Sequence, residues 1–194
     1  MEALVIALLT WIDDNADYSL DDFPPPLVRE LSAEALTAEL RGEPHDSVMP
    51  GEADSRVHAL YSWQDGPHGT IFILEAASTP GLQLGEPPLE NPVFRERLLH
   101  ELVHHVQFHT GAYADFDCVE MGEVDALRLG GLYLERHRAD DPLPQRRMLM
   151  HEAARCDTPT DEGQGASNRA RSLARISDDA SRLVPTTRVD HKGD

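Results

Sequence analysis

His100 and His104 stand four residues apart, with Glu101 directly after the first, in the run His100-Glu101-Leu102-Val103-His104. On an α-helix, residues four apart share a face, so two imidazoles can reach one cation. Glu101 lies beside His100, close enough to meet a water held by that cation. Two nitrogen ligands and a carboxylate base from one helical turn are what hydrolysis through a metal-activated water needs. The pattern alone is weak: with 10 His and 16 Glu, about 4% of shuffled chains would contain it. Its surroundings decide how it is read.

Those surroundings predict a helix over 93–109. Leu98, Leu99, Leu102, Val103 and Val106 form one apolar stripe, and Gly111 is a natural stop. The motif therefore sits on a buried helix. A second helix is expected at about 118–137, where Asp117 and Glu120 have capping-box spacing. Upstream, residues 3–13 read as a helix and Asp21 to Pro26 as an extended Pro-rich linker. Leu27 to Leu31 reads as a short strand, followed by a helix at 33–41 between Ser32 as N-cap and Gly42 as stop. Val57 to Trp63 and Thr70 to Glu75 read as a hairpin. Residues 77–92, with four prolines and two glycines, read as loop. Residues 143–155 have room for a short helix. The expected class is α+β: a short antiparallel sheet on the motif helix, then a ligand-bearing helix. The domain is expected to span 1–139, with 140–194 a low-complexity, largely disordered tail.

Zinc needs a third protein ligand and one open position. The next helix offers Glu120, Glu123 and Asp125. Glu120 is claimed by the capping box. Glu123 stands 19 residues after His104, with Ala126, Leu127 and Gly130 on its face, and small residues there would let two helices approach. Glu123 is the preferred ligand, with Asp125 its alternative or a supporting residue. The expected set is His100, His104 and Glu123 on Zn2+, with Glu101 as base. A donor for the developing oxyanion is sought among His105, His109, Tyr113 and Tyr133. The strand at 70–75 could offer an edge to an extended peptide, or be ordinary core sheet.

The run Leu99 to Gln107, followed by Glu123-Val124-Asp125-Ala126, resembles the gluzincin superfamily of zinc metallopeptidases. Thermolysin and the membrane CAAX-type endopeptidases belong there. In the latter the ligand is the first Glu of a Glu-x-Glu/Gln-Ala-Asp motif, which maps onto Glu123; where that motif ends in Asp, this chain has Leu127. Gly69 to Leu74, the Pro-rich loop, the motif helix and the Trp11-Ile12 pair also resemble small bacterial domains of metallopeptidase type. The resemblance covers about residues 1–137. It implies the zincin fold and a zinc ion, and together with the site it leads to the expectation of peptide-bond hydrolysis, with a peptide or protein as the expected partner; the resemblance itself leaves the substrate unread.

Three other readings compete. One is a metal-binding domain that regulates or binds a partner without turnover; intact Glu101 argues against it. Another is a helix whose histidines serve no metal, which leaves costly polar groups on a buried stripe. The third is a di-iron bundle, which needs a second Glu-x-x-His that the chain lacks.

Composition narrows the partners. The net charge is -18, and residues 1–139 hold 25 Asp+Glu against 8 Lys+Arg. Such a body repels phosphates, so neither nucleic acid nor anionic lipid is an expected partner. The apolar start at Ala3 to Leu9 has no basic segment before it and meets Asp13 and Asp14, so it reads as a helix rather than a signal peptide or a membrane span. Cys118 and Cys156 form no CxxC, and reduced thiols in the cytoplasm are the simpler expectation.

Overall fold

The computed structural model describes residues 1–20, 24–82 and 85–156. The elements run α1 (Glu2–Asp13), β1 (Leu27–Leu31), α2 (Ala33–Arg41), β2 (Ala59–Ser62), β3 (Thr70–Leu74), α3 (Pro92–Thr110), α4 (Met121–His137) and α5 (Arg146–Arg155), with short 3-10 turns between some of them. The class is α+β, as the hydrophobic periods predict.

The sheet is mixed rather than antiparallel. β3 lies in the centre, parallel to β1 on one side and antiparallel to β2 on the other. All five β3 residues are buried. Of the two readings of 70–75, ordinary core sheet holds and the free edge does not: both sides of β3 are already paired. An unbroken apolar run marks a strand covered on both faces, and Ile71 to Leu74 is such a run.

Side chains alternate across that strand. Ile71 and Ile73 join the main core with Val5, Leu8 and Ile12 of α1, the α3 stripe, and Ala126 and Leu129 of α4. Phe72 and Leu74 face the other way, onto Leu36 of α2 and Leu60. Phe94, Leu98, Leu99, Leu102, Val103 and Val106 are all fully buried, and each contributes about 1.5–3 kcal/mol by leaving water. The motif helix is thus the central beam, packed by α1, the sheet and α4.

Local signals set its ends. Asn91 accepts from the Val93 amide at 2.9 Å, Pro92 takes the first turn, and Gly111 closes the helix at φ 76°. Ser32 caps α2 by accepting from the Ala35 amide, and Gly42 ends it at φ 69°.

α4 departs from expectation at its start. It begins at Met121, and Glu120 occupies the N-cap position with no side-chain cap bond. The Asp117/Glu120 capping box does not form. Cys118 is instead joined by a disulfide to Cys156, at the far end of α5. The bridge ties Cys118, just before α4, to the end of α5. This also corrects the expectation of reduced thiols. α5 packs along α4, so ordered chain continues past 139 to Cys156. The tail expected to be disordered beyond it, 157–194, lies outside the described residues.

Candidate metal centre

The third-ligand expectation can be tested by distance. α3 presents His100 and His104, and the first turn of α4 presents Glu123, one helix against the other. The two Nε2 atoms are 3.2 Å apart. Glu123 spans both imidazoles: Oε2 lies 3.1 Å from His100 Nε2 and Oε1 lies 3.1 Å from His104 Nε2. Among the described residues this is the one group of three such side chains whose ligating atoms converge, all within 4.8 Å of one another.

The donors fit a small divalent cation. A tetrahedral ion with bonds of about 2.0–2.1 Å separates its ligand atoms by about 3.3 Å. Glu123 Oε1 is buried and makes no hydrogen bond of proper geometry, although His104 Nε2 lies close by. An orphaned buried carboxylate oxygen is costly, and a cation facing it would remove that cost. The side chains of His104 and Glu123 are only 2% and 4% exposed, against 20% for His100.

The charges are strongly coupled. Burial pushes the His100 imidazole down, but the Glu123 carboxylate beside it wins and raises its pKa to about 9; Glu101 and Glu96 add to this. Burial pushes Glu123 up, and the two imidazoles overcome that, holding it well below the usual carboxylate range. Glu101 goes the other way. Burial raises its pKa, opposed by His100 and His104 and reinforced by Glu123 and Glu96. Two carboxyls that feel the same imidazoles are thus driven apart, one pKa lowered and the other raised. Such a split separates a ligand from a proton carrier.

The remaining candidates are dispersed. Asp125 is no ligand: it accepts from the Tyr18 hydroxyl at 2.9 Å and pairs with Arg128 at 3.0 Å. Tyr113 places its hydroxyl 3.2 Å from His104 Nδ1. That nitrogen is on the side of the ring away from the cluster, so Tyr113 stands behind the ligand. His105 is fully buried on another face, its nitrogens at the Tyr61 hydroxyl and the Pro24 carbonyl. It anchors the Pro-rich segment to α3, and burial lowers its pKa to about 4. His109 contacts the His68 carbonyl. Tyr133 is core, edge-on to Trp11 and stacked on His137.

Gly130 lets a side chain of α3 lie close against α4. A Cβ there would overlap the Glu96 carboxylate, which pairs with Arg146. The glycine that serves the cluster is Gly122, where a Cβ would crowd Gln107 and Tyr113 at 3.0 Å each.

Sequence reasoning missed Gln107. It is fully buried, and its Oε1 lies 3.1 Å from His104 Nδ1. Its position three residues after His104, on the same face of the helix, was the available signal. Comparison with family models, curated proteins and solved structures finds no match for this chain.

Proposed function

We propose that this chain is a small zinc-dependent hydrolase of the metallopeptidase type, acting on peptide bonds of a peptide or protein substrate. The observation that carries the reading is the convergence of His100, His104 and Glu123 with Glu101 as their neighbour. A zinc ion held by those three would supply Lewis acidity and leave one coordination position open.

The chain's own residues have distinct tasks. His100 and His104 offer Nε2 lone pairs, and His100 gives up its proton to do so. Glu123 contributes one negative charge and is itself kept ionised by the imidazoles. Glu101 takes a proton from the attacking water onto its carboxylate and returns it to the leaving amine nitrogen. Substrate would approach past His100, the most exposed of the three side chains.

A metal site without turnover is the second reading, and the near-complete burial of His104 and Glu123 favours it. Two features oppose it. Structural zinc sites are closed by four protein ligands, and here three converge. A site with no reaction has no use for Glu101. For the compartment, paired cysteines favour an oxidising setting over the cytoplasm. Among the described residues, no helix is long and apolar enough to cross a membrane.

Glu101→Gln separates the two readings. Zinc content is expected to stay at one per chain, while hydrolysis of a fluorescently labelled unfolded protein falls about 10²–10⁴-fold. Hydrolysis that survives the change would mean that the proposed mechanism is wrong. A zinc-loaded native chain that cuts nothing would favour the non-catalytic reading.

A further inference from the structure

Gln107 lies on α3 one turn beyond His104, and every polar atom of its side chain is engaged. Its amide nitrogen donates to the Gly122 carbonyl at 2.9 Å and to the Tyr18 hydroxyl at 3.2 Å. A backbone carbonyl only accepts, so the amide nitrogen must face Gly122. The amide oxygen is then fixed on the opposite side, 3.1 Å from His104 Nδ1. An oxygen there only accepts, so Nδ1 must carry the ring proton. Nε2, the other ring nitrogen, faces Glu123 and His100 and is the one left to ligate a cation.

The donors run one way from the imidazole. His104 Nδ1–H points to Gln107, Gln107 N–H to Tyr18, Tyr18 O–H to Asp125, and Arg128 donates to Asp125 from beyond. Reversing the tautomer of His104 would set two acceptors face to face at its first link. Gly122 adds an independent constraint. It immediately precedes Glu123, and a side chain there would press on the Gln107 oxygen and the Tyr113 ring. One amide thus grips the backbone beside the α4 ligand while orienting the α3 ligand.

We propose that Gln107 is the positioning residue of this metal centre: it selects the Nε2-ligating tautomer of His104 and locks that histidine's helix to the residue before Glu123. The inference rests on the reading of His100, His104 and Glu123 as a cation site. Tyr113, which also meets Nδ1, then accepts or shares the same proton and cannot replace the amide oxygen's one-way demand.

The test uses the full chain, stripped and reloaded, with zinc affinity read by competition against a chromophoric chelator. The visible spectrum of the Co2+-loaded protein reports ligand geometry, and far-UV circular dichroism checks folding. Gln107→Met, close in volume but with no acceptor, is expected to weaken zinc binding about 10–100-fold and to shift the Co2+ bands. Gln107→Glu keeps an oxygen facing Nδ1 and is expected to bind zinc at least several-fold more tightly than the Met variant. Native-like zinc affinity in Gln107→Met would overturn the proposal. So would equal loss in both folded variants, which would mean that packing rather than the acceptor matters. A native chain that binds neither metal would overturn the site reading itself, and this proposal with it.

Discussion

Two polar clusters lie between α3 and α4, one around Glu96 and one around Glu123. In the first, Arg146 reaches in from α5. Its Nη1 pairs with Glu96 at 2.9 Å and its Nε and Nη2 grip Asp141 in a two-pronged contact at 2.8 Å each. Its Nη1 also meets the Leu127 carbonyl. Gly130 and Gly131 leave it the room. In the second cluster a carboxylate faces two imidazoles and one oxygen goes without a hydrogen bond. A buried acid is present in both, but only one receives a guanidinium that satisfies its charge and geometry together. The first cluster is complete with protein groups alone. The second is arranged so that a cation completes it. That difference separates a structural ion pair from a candidate ligand site better than burial or charge does, because both clusters are buried and charged.

The comparison breaks most visibly at Arg146. Arg146→Met strands Glu96 without its partner, and breaking a buried pair costs about 3–5 kcal/mol. Urea unfolding should show a loss of that size, while the folded fraction retains its zinc stoichiometry. A stable variant that has lost its zinc would show that the two clusters are one unit and that the contrast drawn between them is false.

A smaller loss is expected at the bridge that holds α5 in place. Cys118→Ser opens the disulfide to Cys156, whose closed loop has a sequence separation of 38. Typical losses are about 2–4 kcal/mol, through the freedom returned to the unfolded chain. Reduced native protein should match the variant in the same unfolding assay. If reduction costs nothing, the grip of Arg146 alone positions α5.

Most of the fold was legible because its helices and strands carry strong local signals. Asn91-Pro92 and Gly111 bound α3, Ser32 and Gly42 bound α2, and unbroken apolar runs mark β3. The two histidines and Glu101 were legible from spacing on one helix. Glu123 was legible because few acids stand on the next helix. The rest needed tertiary information. The parallel pairing of β1 with β3 joins segments 43 residues apart, as in Leu27 with Thr70, and no local pattern encodes it. The disulfide likewise joins distant turns. α4 begins only at Met121, which leaves Glu120 at its N-cap rather than inside its first turn and defeats the capping-box reading. The spacing of His105 places it on α3, but only the path of the Pro-rich segment shows why it is buried. The glycines at 122 and 130 look alike in sequence, and their different uses follow from which side chain fills the space above each.

The finest distinction between the clusters is a single proton. Arg146 keeps its charge whatever is bound, whereas His100 must lose its proton to become a ligand. In the metal-free protein His100 has a pKa of about 9, against an ordinary value of 6.5. A raised value means that its contribution to stability is fully present below 6.5 and is lost as the pH climbs through 9. Glu101, also raised, acts in the same direction. Glu123 is depressed, so its contribution holds above the ordinary value of 4.5 and is lost as the pH falls through its lower folded value. Metal-free protein should therefore be most stable in mildly acidic solution and weaken toward pH 9. At pH 7 zinc must displace the His100 proton, so binding should release about one proton per ion, shrinking toward none above pH 9. Calorimetric titration in buffers of different ionisation enthalpy measures this directly. Glu123→Gln removes the charge that raises His100, so release at pH 7 should drop well below one and affinity should fall with it. Zinc binding at pH 7 with no proton released would mean that His100 is already neutral in the metal-free protein and that Glu123 does not raise its pKa.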